Sequence, residues 1–76
     1  MKFLCIGGED EVRGFRLAGV EGSAPADAAQ AAEALERAAA DPECGVLLIA
    51  RGTAGLVRAR LDELRISGDR PLIIEI

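Results

Sequence analysis

The sequence predicts an α/β fold, a small three-layer sandwich built on a four-stranded parallel sheet. Three observations carry that expectation. Apolar runs occur at Phe3-Leu4-Cys5-Ile6, at Val46–Ala50 and, interrupted by Glu75, at Leu72–Ile76, the pattern of strands covered on both faces. Between them lie segments with apolar residues every three or four positions, the period of a helix with one buried stripe. The connections are short and rich in Gly, Pro and Asp. A β-α-β-α-β-α-β alternation of this kind implies right-handed crossovers with helices on both faces of the sheet.

The first strand, from Phe3, ends at Gly7-Gly8. Asp10 is the expected cap of a first helix that begins near Glu11, with acidic residues suited to the positive end of the helix dipole. Val12, Phe15 and Leu17-Ala18 supply its apolar side, and Gly19 stops it as a left-handed residue. Gly14 inside this helix costs about 1 kcal/mol relative to Ala, which a close approach of helix to sheet would explain; Phe15 is the anchor expected to fill the core there. Val20-Glu21-Gly22 is a very short extended segment. After the turn Ser23–Ala26, a second helix spans roughly Ala26 to Ala40, burying Ala28, Ala31-Ala32, Leu35 and Ala38-Ala39, and Asp41-Pro42 ends it. Val46–Ala50 is the second long strand. Arg51-Gly52-Thr53 reads as a loop with Thr53 as a cap, followed by a third helix from Ala54 to Arg65 that faces the core with Ala54, Val57, Leu61 and Leu64. Ser67–Pro71 is a loop and Leu72–Ile76 the last strand, with nothing after it in the chain to flank it. The strand order expected is 2-1-3-4, a Rossmann-like or flavodoxin-like topology, and residues 1–76 read as one domain.

Composition narrows the function classes. The net charge is −4 and no His is present, so no basic surplus exists for nucleic acid, and the commonest acid/base and metal-ligating side chain is missing. Charge is uneven: residues 27–50 hold five acidic groups and one Arg, residues 51–70 five Arg and three acidic groups. Two solvated helix faces of different sign account for that. Cys5 and Cys44 have no CxxC spacing and read as small buried hydrophobes with reduced thiols. No apolar run approaches the 18 or so residues of a membrane span, so any role at a membrane is played from the aqueous side, without insertion.

The carboxyl ends of the strands, where ligands collect in open parallel sheets, hold Gly7-Gly8-Glu9-Asp10 and Arg51-Gly52-Thr53. Gly7–Val12 fits neither G-x-G-x-x-G nor a Walker A loop and is acidic where phosphates need neutralising. A receiver-like phosphorylation site would use Glu9 and Asp10 to hold Mg²⁺ beside an Asp after the third strand, but Ala50-Arg51 occupies that position and the chain's single Lys is Lys2. Ser23, Ser67 and Thr53 lack a His to activate them. No catalytic, cofactor-binding or metal-binding residue is therefore assigned.

The stretch Glu9-Asp10-Glu11-Val12-Arg13-Gly14-Phe15-Arg16-Leu17-Ala18-Gly19-Val20 resembles the N-terminal signature of the F subunit of the V/A-type rotary ATPases and ATP synthases. The Gly-Phe-Arg-Leu-Ala-Gly string is the specific part. The Ala/Glu-rich second helix, the strand Val46–Ala50, the Arg-bearing helix and Pro71–Ile76 follow in family order. Two departures are visible: Ala50-Arg51-Gly52-Thr53 replaces the family's Thr or acidic residue with Glu, and the chain ends at Ile76 where family members continue into a mobile C-terminal segment.

The resemblance implies a non-catalytic central-stalk subunit that needs no cofactor. Such a subunit docks on the helical hairpin of the D-type subunit of the central stalk, lies beside neighbouring rotary ATPase subunits, and sits in the cytoplasm peripheral to the membrane. It would contribute to ATP-driven proton or sodium transport or to ATP synthesis. The globular part would dock and the family's tail regulate. Arg16, Arg51, Arg58 and Arg65 are the candidate partner-facing residues; Arg58 and Arg65 share one side of the third helix. The last strand, an apolar edge with unpaired backbone groups, is open to self-association. The reading from a different class is a receiver-like or flavodoxin-like regulatory module that binds another protein.

Overall fold

The computed structural model describes every residue except Asp69. The elements follow the order β1 (Lys2–Ile6), α1 (Glu9–Leu17), β2 (Glu21–Ser23), α2 (Ala28–Ala40), β3 (Cys44–Ile49), α3 (Arg51–Leu56), α4 (Arg58–Ser67) and β4 (Leu72–Glu75). The sheet runs β2-β1-β3-β4 with every pairing parallel, as the alternating pattern predicts.

The register sorts the side chains onto two faces. Leu4, Leu47 and Ile73 are level with one another, as are Ile6, Ile49 and Glu75. This face carries α2, α3 and α4: its core joins Ile6, Leu47, Ile49 and Ile73 to Ala31, Ala34, Leu35 and Ala38 from α2 and to Ala54, Val57 and Leu61. Leu35, Leu47, Ile49 and Leu61 are fully buried. Phe3, Val46 and Leu72 form a row on the other face, and Cys5, Leu48 and Ile74 the next. Among the described residues α1 is the helix packed on that face, on its β1–β2 half, where Val12 is buried.

Several elements differ from the sequence expectation. Helix α1 starts at Glu9, with Gly8 in extended geometry as its cap residue and no side-chain cap, so Asp10 lies inside the first turn. Three successive acidic residues at the positive end of the dipole favour that earlier start. Its other end is as expected: Gly19 adopts φ +89°, and the Gly19 and Val20 N–H groups donate to the carbonyls of Arg16 and Phe15, each at 3.0 Å, the Schellman pattern. Phe15 is half-buried rather than a core anchor, and Leu17 is exposed. Gly14 is not the point of close approach, since a Cβ there would meet nothing within 4 Å. That point is Gly22 of β2, where a Cβ would lie 2.9 Å from Cγ1 of Val12 and 3.2 Å from the Cys5 carbonyl oxygen.

Helix α2 begins two residues later than expected. Asp27 is its cap, extended at φ −153°, and accepts from the Gln30 N–H at 2.9 Å, while Gln30 Oε1 accepts from the Ala26 N–H. Its buried positions are Ala31, Ala34, Leu35 and Ala38, whereas Ala28 and Ala32 are exposed. With alanine on every side, the periodicity of α2 cannot say which flank of Leu35 turns inward.

The expected loop Arg51–Thr53 is helical, Thr53 caps nothing, and the third helix is two. The chain enters α3 straight from β3, through Ala50 in extended geometry. Val57, at φ −131° and ψ 27°, separates α3 from α4 while remaining buried. Gly52 and Gly55 each lower intrinsic helix preference by about 1 kcal/mol, so burial of Ala54, Val57 and Leu61 decides the path of this segment. Ser67 belongs to α4, and Gly68 at φ +82° ends that helix; of the expected loop Ser67–Pro71, Asp69 lies outside the described residues.

Candidate docking surface

Helix α4 lies on the Leu47–Ile73 face because Leu61 must be buried there, and this places Arg58 and Arg65 on either side of Leu61, towards β4. Glu75 of β4 is level with Ile49, on the same face. Arg58 grips its carboxylate with two bonds, Nη1 to Oε2 at 2.6 Å and Nη2 to Oε1 at 3.0 Å, the fork geometry that only Arg offers. Arg65 Nη1 donates to the same Oε2 at 3.1 Å. The Arg58 hydrogen bonds hold the Glu75 carboxyl at about 2, below its ordinary 4.5; partial burial opposes them, and Arg65 adds to the depression. The Arg58 and Arg65 side chains remain 42% and 38% exposed while engaged with Glu75.

Arg51, at the start of α3, is exposed, and its backbone N–H donates to the Ile76 carbonyl at 2.9 Å; Ile76 N–H in turn donates to Ile49. Three of the four candidate arginines thus surround the end of β4. The fourth does not join them. Arg16 sits on α1, on the other face, bordering a recess with Gly19, Val20, Glu21 and Gly22 beside β2, at the opposite edge of the sheet.

Besides the Glu75 pairs, two further ionic links escaped the sequence reading. Arg60 forks onto Glu36 at 2.6 and 3.1 Å, tying α4 to α2, and Lys2 Nζ approaches Asp41 at 2.9 Å. No local signal marks such pairs, since the partners are 24 and 39 positions apart.

An apolar surface adjoins β4. On the α1 face, Phe3 is 44% exposed, Leu72 61%, and Ile74 and Ile76 41% each. As its place last in the strand order predicts, β4 is an edge strand, but its apolar run, the pattern of a strand covered on both faces, does not signal that α1 packs on the β1–β2 half of this face.

Among the described residues no group of three His, Cys, Asp or Glu is placed to hold a metal. Glu9, Asp10 and Glu11 are exposed in the first turn of α1. Cys5 and Cys44 are buried free thiols, both pushed up by burial first and by a nearby carboxylate second, Glu11 for Cys5 and Asp41 for Cys44. Ser67 donates to the Leu64 carbonyl. Among the described residues no helix is long and apolar enough to cross a membrane.

A family model described as ATP synthase (F/14-kDa) subunit matches residues 4–76. No match is found among curated proteins.

Proposed function

The chain belongs to the ATP synthase (F/14-kDa) subunit family and is thereby a subunit of a rotary ATP synthase or ATPase complex; from that premise we propose that it is a non-catalytic central-stalk subunit that docks on the helical hairpin of the stalk's D-type subunit. The observation that carries the reading is the family match over residues 4–76. The resemblance of Gly14–Gly19 to the family's signature supports the choice of subunit.

In this role the chain does no bond chemistry. It rides on the rotor, and its docking surface must bear lateral load while ATP is hydrolysed or made, driving or driven by proton or sodium movement. It works from the cytoplasmic side, peripheral to the membrane. Arg51, Arg58 and Arg65 border the contact. Exposed pairs contribute about 0–1 kcal/mol each, so these charges set orientation and on-rate more than affinity.

The test is reconstitution of the catalytic head and the hairpin subunit with and without this chain. The expected outcome is stoichiometric incorporation that requires the hairpin subunit. Failure to enter the complex, together with Mg²⁺-dependent uptake of phosphate from acetyl phosphate, would replace this reading with the receiver-like one. Arg51→Glu is expected to slow association with the hairpin subunit, most at low salt.

A further inference from the structure

We draw no further inference here: the strongest candidate, the exposed apolar patch of Phe3, Leu72 and Ile74 on the β4 side of the α1 face, carries none because nothing in the structure shows what covers it.

Discussion

Replacing Leu61 by Ala tests the placement of α4, on which the arginine row depends. Leu61 is fully buried between the break at Val57 and the half-buried Leu64, against Leu47 and Ile73. The substitution removes three carbons, a transfer loss of about 2.4 kcal/mol at roughly 0.8 per group. A residual cavity of about 40 Å³ adds about 1 kcal/mol at 24 cal/mol per Å³. The expected loss is therefore about 3–3.5 kcal/mol. A domain of this size is stable by only about 4–11 kcal/mol at 0.05–0.15 per residue. In urea, with a slope near 1 kcal/mol per M for so small a chain, the midpoint should fall by about 3 M, and the variant would be close to unfolding without denaturant. Leu56→Ala, at a 53% exposed position of α3, is the internal control and should cost under about 1 kcal/mol. Equal, small losses from the two substitutions would refute the burial of α4 against the sheet, and with it the position of Arg58 and Arg65.

Three further outcomes are expected. Because the Glu75 carboxyl sits at about 2 when folded and near 4.5 otherwise, the unfolded chain binds its proton first; the stability Glu75 contributes is full above pH 4.5 and disappears as pH falls towards 2. Denaturant melts should accordingly show a gap between the native chain and Glu75→Gln at pH 7 that closes by pH 2. Gly22→Ala should destabilise by about 1–3 kcal/mol, since its Cβ has no room between Val12 and the Cys5 carbonyl; a neutral thermal melt would mean α1 sits further from the sheet. Gly52→Ala and Gly55→Ala, where a Cβ meets nothing within 4 Å and φ is not positive, should each stabilise by about 0.4–1 kcal/mol, read as a rise in melting temperature.

By itself the sequence determined the α/β class, the parallel sheet, the strand order and the family, because apolar runs, helical periodicity and the Gly-Phe-Arg-Leu-Ala-Gly string are local signals. It also placed Cys5 in the core, put Arg58 and Arg65 on one helix side, and made Leu72–Ile76 an edge. What it misread was decided by contacts between distant residues. Phe15 looked like a core residue because it is the aromatic of an amphipathic helix, yet α1 lies over only the β1–β2 half of the sheet. Gly14 looked like the close approach, but the space is short at Gly22, where Val12 meets a strand ten residues away. The Arg51–Thr53 stretch reads as a loop, and burial of Ala54 and Val57 draws it into the helix that follows. The site followed the same division. Charge and spacing picked out the arginines, whereas only the fold could bring Glu75 between Arg58 and Arg65, send Arg16 to the opposite edge and leave half a sheet face uncovered. Ion pairs and uncovered faces depend on which elements become neighbours, and that is settled by packing over the whole chain.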